Sequence, residues 1–210
     1  MSAEHIAGYV YKDIDHNSSH NYLLPPVILL LGELQAAPAD MRLFEVGCGN
    51  GSVASSITLL GYVVTGVDPS LQGIQHAQHM YPNLDLLQWS AYDDLENQYG
   101  QFPVVLSLEV VEHVYDPRRY TATIYSLLEW SGTTIIPTPY HGYWENLAMA
   151  ISGKMDAHIT ALWDHGHIKF WSIKTLSAML SESGFVDIRF ERVGRIPALA
   201  KSIIAIARKP

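Results

Sequence analysis

A single cysteine, Cys48, in 210 residues excludes an intrachain disulfide and suits a reducing compartment. Basic residues are scarce: 13 Lys and Arg against 21 Asp and Glu leave a formal net charge of −8, which argues against general recognition of a phosphate backbone. No apolar run approaches the length of a membrane span, and the opening Met1-Ser2-Ala3-Glu4-His5 lacks a basic region followed by an apolar one. With 48% apolar and 16% charged residues, the expectation is one soluble, cytoplasmic domain over 1–210 with a full core. A small molecule is the expected partner, and no feature signals an oligomeric state.

What the chain does have is an alternation of short strands and helices. Residues 1–40 read as an N-terminal lid or helical segment: a polar stretch over 1–21 rich in Tyr, His and Asn that serves as tail or lid, then a helix over 22–34 begun by Pro25-Pro26. Strands are predicted at 43–46, 62–67, 84–88, 104–108 and 133–136, with helices at 53–60, 70–80 and 118–130 between them. The last of these opens on Asp116-Pro117, an N-cap with proline at the first helical position. An insertion at 140–171, rich in aromatics and His, interrupts the pattern and contains a helical stretch near 143–151; a substrate-side role is expected for it. A helix over 172–183 closed by Gly184 and an antiparallel pair of strands, 186–191 and 202–207, finish the chain. The order predicts an α/β fold: a Rossmann-like, mostly parallel sheet with helices on both faces.

The most informative stretch is Leu43-Phe-Glu-Val-Gly-Cys-Gly-Asn-Gly-Ser52, an apolar strand running into Gly47, Gly49 and Gly51. Alternating glycines at a strand exit allow a tight turn and close approach of the backbone to a ligand, and Cys48 is small enough to pack within that turn. A dinucleotide fingerprint would want glycine where Ser52 stands, which disfavours a nicotinamide oxidoreductase. Asp68 follows Gly47 by 21 residues, the strand-helix-strand interval at which a carboxylate reaches a ribose diol. An N-cap role for the helix after Pro69 is the bland alternative for Asp68.

Here the sequence resembles the class I S-adenosylmethionine-dependent methyltransferases. Glu45-Val-Gly-Cys-Gly-Asn-Gly51 is similar to their first motif, Val67-Asp68-Pro69 to their ribose-binding acid, and Ser90-Ala91-Tyr92-Asp-Asp-Leu95 to their adenine-side loop, with Ser90 where an acid is common. The resemblance implies a seven-stranded sheet with a reversed last strand. It also implies S-adenosylmethionine as cofactor, S-adenosylhomocysteine as product, and a donor pocket of Glu45, Gly47, Cys48, Gly49, Gly51, Asp68, Pro69, Ser90, Ala91, Tyr92 and Glu109.

The fourth strand leaves the sheet as Ser107-Leu-Glu109-Val-Val-Glu112-His113, where two carboxylates and an imidazole suit Mg²⁺, Mn²⁺ or Zn²⁺. With Asp164-His-Gly-His-Ile-Lys-Phe-Trp171 this is similar to a metal-assisted branch that includes 3-demethylubiquinol O-methyltransferases and small-RNA 3′-end 2′-O-methyltransferases. That resemblance implies Glu109, Glu112, His113 and His167 as metal ligands, with His165 as alternative to His167, and oxygen as the acceptor atom. Without metal, His113 is a packed or substrate-facing residue and Glu112 a solvated carboxylate at a helix start; His113, His141 or His165 then serves as general base. Aromatic residues from Tyr140 to Trp171 are expected either to stack on a flat acceptor or to form the core of the insertion. Arg192, Arg195 and Lys201 are candidates for an acidic group on the substrate. Open alternatives are a C- or N-methyltransferase without metal and a noncatalytic cofactor-binding module.

Overall fold

Alternation along the strands decides the layers. In β1 (Arg42–Val46), Leu43 enters one apolar cluster and Phe44 the other; in β7 (Ser202–Arg208), Ile204 and Ile206 face the first cluster while Ile203, Ala205 and Ala207 face the second. Strands buried on both faces need helices on both sides, and the sequence supplies them. The computed structural model describes residues 19–34, 41–159, 162 and 166–210.

On the first face lie α1 (His20–Glu33), α2 (Ser52–Thr58) and α3 (Leu71–Met80); on the second lie α4 (Leu95–Tyr99), α5 (Pro117–Leu127) and α8 (Ile173–Glu182). The remaining strands are β2 (Val63–Asp68), β3 (Asp85–Gln88), β4 (Phe102–Leu106), β5 (Leu128–Pro139) and β6 (Val186–Val193). Their order is β3-β2-β1-β4-β5-β7-β6, and β7 runs antiparallel to both neighbours, as expected for a seven-stranded Rossmann-like sheet with a reversed last strand. The chain builds outward from β1 to β3, then returns to set β4 on the other side of β1. That switch point opens a crevice at the C-terminal ends of β1 and β4.

Several local expectations change. Pro25 and Pro26 lie inside α1, which starts at His20, so proline does not begin this helix. Their nitrogens cannot donate to the carbonyls four residues earlier. The N-cap of α3 is Ser70, whose side chain accepts from the Gly73 N–H, so Asp68 is free of that role. β5 is far longer than the apolar stretch 133–136, because Leu128 pairs with Phe102 ahead of a register irregularity and Pro137–Pro139 continue the antiparallel ladder with β7. The five-residue α4 and α7 (Met155–Ile159) are too short for an apolar period to announce them, whereas the insertion helix α6 (Tyr143–Ile151) falls where expected. No helix among the described residues is long and apolar enough to cross a membrane.

Candidate active site

The glycine turn is fixed by the protein's own packing. Gly47, Gly49 and Gly51 have φ of 85°, 53° and 78°, in the left-handed region that glycine enters without steric cost. A Cβ on Gly47 would stand 2.3 Å from Val110 Cγ2, and one on Gly51 would stand 2.8 Å from Leu86 Cδ1. The expected role of these glycines, room for a ligand, thus gains a second cause: Gly47 lets the β1 exit close onto the β4 exit. Cys48 is buried, and its thiol is pushed up by burial and by Asp68 and Glu45, as befits a packing residue rather than a nucleophile.

Asp68 ends β2 and joins the turn. Its Oδ2 accepts from the Gly49 N–H at 3.0 Å and its Oδ1 from the Ser70 N–H at 2.8 Å, so the carboxylate also braces the loop beside which a ribose would lie. Burial raises its pKa to about 6 against the pull of those two donors. Glu45 is buried, its pKa is raised to about 8 by burial and by Asp68, and its Oε2 has no hydrogen-bond partner among the described residues. A buried acceptor without a donor calls for one from a ligand, and Glu45 and Asp68 together fit the polar groups of an amino-acid nucleoside. The third expected segment is partly self-satisfied. Ser90 N–H donates to Asp93, Tyr92 N–H to Ser90 Oγ, and the Tyr92 carbonyl accepts from Arg119, which leaves Ala91 as the backbone position in this turn suited to an adenine.

Across the switch point, Glu109 has a φ of 55°, a strained backbone for a side chain with a Cβ. Its Oε2 accepts from Ser19 Oγ at 2.5 Å, tying the start of α1 to the β4 exit. Glu112 is only 1% exposed, which overturns its reading as a solvated helix-start carboxylate. Its Oε2 accepts from Thr138 Oγ1 at 2.9 Å while Oε1 has no hydrogen-bond partner among the described residues, and burial followed by the Glu109 charge raises its pKa to about 8. The Glu112 carbonyl accepts from the Ile168 and Lys169 N–H groups, so the segment bearing His167 is pinned alongside. Glu112, His113 and His167 offer ligand atoms all within 4.8 Å of one another. One carboxylate oxygen lacking a donor beside two imidazoles fits a divalent cation. Glu109, engaged with Ser19, is outside that group, so three of the four expected ligands converge.

His141 and His158 lie at the same end. The His113 and His167 rings are 4.9 Å apart, and His141 lies 5.2 Å from His158 and 4.8 Å from Phe170. Burial and neighbouring imidazoles lower His141 and His167 to about 4, which keeps both neutral at pH 7. His158, one of the aromatic and His-rich residues of the insertion, is brought beside His141 by α7. His165, Asp164 and Trp163 lie outside the described residues, as do Tyr9, Tyr11 and His16 of the expected lid. The aromatic expectation divides: Trp171 is buried with its indole N–H donating to the Val111 carbonyl, whereas Tyr143 and Trp144 are 72% and 62% exposed.

A family model described as a methyltransferase domain matches residues 17–189. A ubiquinone biosynthesis O-methyltransferase from Ruegeria sp. (strain TM1040) is 31% identical over 154 residues, covering 70% of this chain and 60% of that protein. One of the same name from Caulobacter sp. (strain K31) is 36% identical over 102 residues, covering 47% and 40%. The chain spans between 40% and 62% of the length of these two and three further curated relatives. Among solved structures, the magnesium protoporphyrin IX methyltransferase from Synechocystis PCC 6803 with bound S-adenosylhomocysteine aligns with a TM-score of 0.65 at 16% identity, covering 95% of this chain and 91% of that one. The citrinin polyketide synthase CMeT domain aligns at 0.71 and 14% identity, covering 89% and 52%.

Proposed function

The chain belongs to the methyltransferase-domain family, and from that premise we propose that it moves a methyl group from S-adenosylmethionine to an oxygen of a small aromatic acceptor. The observation that carries the proposal is the contact of Gly47 with Val110, which closes the donor loop onto the strand exit that bears Glu112 and His113. A methyl group held at the one is thereby within the crevice of the other, and alignment of the reacting atoms is the main source of rate in a direct displacement. S-adenosylmethionine supplies an electrophilic methyl on a sulfonium and leaves as S-adenosylhomocysteine.

Asp68 orients the ribose by accepting from its diol, Glu45 faces the amino-acid end, and Ala91 offers its backbone to the adenine. Glu112, His113 and His167 would hold a divalent cation such as Mg²⁺, Mn²⁺ or Zn²⁺, which there would lower the pKa of an acceptor hydroxyl. Thr138 fixes the Glu112 carboxylate, and the depressed pKa of His167 keeps its imidazole in the form that accepts a proton or a metal. His141 is neutral for the same reason and stands at the rim as a proton acceptor. The start of α1, bonded to Glu109 through Ser19, serves as the base of a lid, and the 140–171 insertion shapes the acceptor side. The names of the curated relatives support oxygen as the acceptor atom and a quinol-like ring. The single cysteine supports a reducing, cytoplasmic setting, and the net charge of −8 supports a small-molecule acceptor over a nucleic acid.

Mass spectrometry of catechol incubated with the protein, S-adenosylmethionine and Mg²⁺ tests the proposal. An O-methylated product is expected, with turnover lowered at least about 100-fold by Glu112→Ala or His167→Ala, the scale of a lost metal ligand or its support, and lowered likewise by EDTA. Methylation at carbon would refute the oxygen assignment. Turnover insensitive to EDTA and to both substitutions would remove the cation from the account.

A further inference from the structure

The connection between β6 and β7 carries charges that the reaction above does not use. Because β7 is antiparallel to β5, its first residue Ser202 stands opposite Pro139 at the C-terminal end of β5. Residues 194–201 therefore lie on the crevice edge of the sheet. In a chain of net charge −8, this edge collects Arg192, Arg195 and Lys201.

Two of the three flank Tyr22. The Lys201 ammonium lies 5.2 Å from the Tyr22 ring centroid and has no acidic partner among the described residues. The Tyr22 hydroxyl shares a 3.1 Å hydrogen bond with Ser202, and the charges of Glu109, Glu112 and Arg195 all bear on it. Tyr22 thus stands between the cations of the β6–β7 connection and the carboxylates of the acceptor side. Arg195 is held from the α6 side by the buried Glu145, with Nη1 3.8 Å from Oε1, and its side chain is 54% exposed. A guanidinium has five N–H donors in a planar fork, so one long ion pair leaves an outward edge for a second carboxylate. Arg192 differs: its guanidinium rests over Tyr140, 5.6 Å from the ring centroid, on the other face of the sheet edge.

We propose that Arg195 and Lys201 form an anion subsite that takes a carboxylate carried by the acceptor, with the acceptor ring lying along Tyr22 and its reacting hydroxyl at Glu112, His113 and His167. The substrate class is accordingly an aromatic acid bearing a ring hydroxyl. Arg supplies the bidentate geometry that a planar carboxylate matches, and Lys201 adds a point charge steadied by the ring beneath it. This inference rests on the acceptor reading above.

Calorimetry on the full chain saturated with S-adenosylhomocysteine tests it without turnover, using 3,4-dihydroxybenzoate and its uncharged methyl ester as probes. The acid is expected to bind about tenfold more tightly than the ester, the scale of one charge-assisted hydrogen bond. Arg195→Gln and Lys201→Gln should each bring that ratio towards one while leaving ester and S-adenosylhomocysteine affinities in place, and Arg192→Gln should keep it. An acid that binds no better than the ester, or not at all, overturns the subsite. A ratio lost equally in Arg192→Gln also overturns it, since a general surface potential would then explain the preference. Failure of wild-type protein to bind S-adenosylhomocysteine would instead count against the methyltransferase reading itself.

Discussion

Gly47 shows how one missing side chain joins two elements. Its left-handed φ of 85° and the 2.3 Å approach of Val110 Cγ2 to a built Cβ act together, so Gly47→Ala meets both backbone strain and overpacking. Chemical denaturation should show a loss of about 2–4 kcal/mol, the sum of a left-handed penalty and a tight core contact. Adding Val110→Ala should restore only the contact share; no loss in Gly47→Ala would refute the close packing of the two strand exits. The sequence made the glycines legible as a turn, because their spacing is local. It could not reveal Val110 as the residue that requires Gly47, since that contact joins positions 63 residues apart (110 − 47). The alternative reading of Glu112 as a solvated carboxylate fails for the same reason: Thr138 and the 166–171 segment, distant in sequence, close over it.

At the scale of the element, caps and alternation were readable and irregular pieces were not. Asp116-Pro117 marks the start of α5 in the sequence, and Asp116 Oδ1 accepts from the Arg119 N–H at 3.2 Å. Asp116→Ala should cost about 1 kcal/mol in thermal or chemical unfolding, the usual worth of an N-cap, with S-adenosylhomocysteine affinity unchanged because the bond from Asp116 to the Tyr92 hydroxyl comes from the main-chain N–H and survives the substitution. A loss of cofactor affinity in that variant would mean that α5 supports the donor loop, through Tyr92, whose hydroxyl accepts from the Asp116 N–H. The insertion was legible only as composition. Its aromatic and His-rich sequence suggests a substrate side, but α7 is short and buries no residue, and the meeting of His158 with His141 depends on how α6 and α7 fold back. Pro25 and Pro26 misled in the opposite direction: they suggest a helix start, yet α1 tolerates them because Leu23, Leu24, Val27, Leu30 and Leu31 bury one face against the sheet.

For the whole molecule, the strand order follows from short alternating elements, and the switch point between β1 and β4 follows from the order. The donor half of the site was therefore legible: Glu45, the glycines and Asp68 are close in sequence and brought together by one strand-helix-strand unit. The acceptor half draws on α1, the β4 exit, the insertion and the β6–β7 connection, and no local pattern specifies how these meet. The central claim is that the crevice binds an S-adenosyl nucleoside through the Asp68 carboxylate. Calorimetry of S-adenosylhomocysteine with wild-type protein and Asp68→Asn, at pH 7.5 and pH 5, tests it most directly. Asp68 titrates at about 6 and Glu45 at about 8, so this pH step protonates chiefly Asp68 of the two while Glu45 stays mainly protonated. The account predicts tight binding by the wild type at pH 7.5 that weakens at pH 5, and binding by Asp68→Asn at least about tenfold weaker with little change between the two pH values. Equal affinity in the two proteins, or binding of NAD in place of S-adenosylhomocysteine, would contradict it.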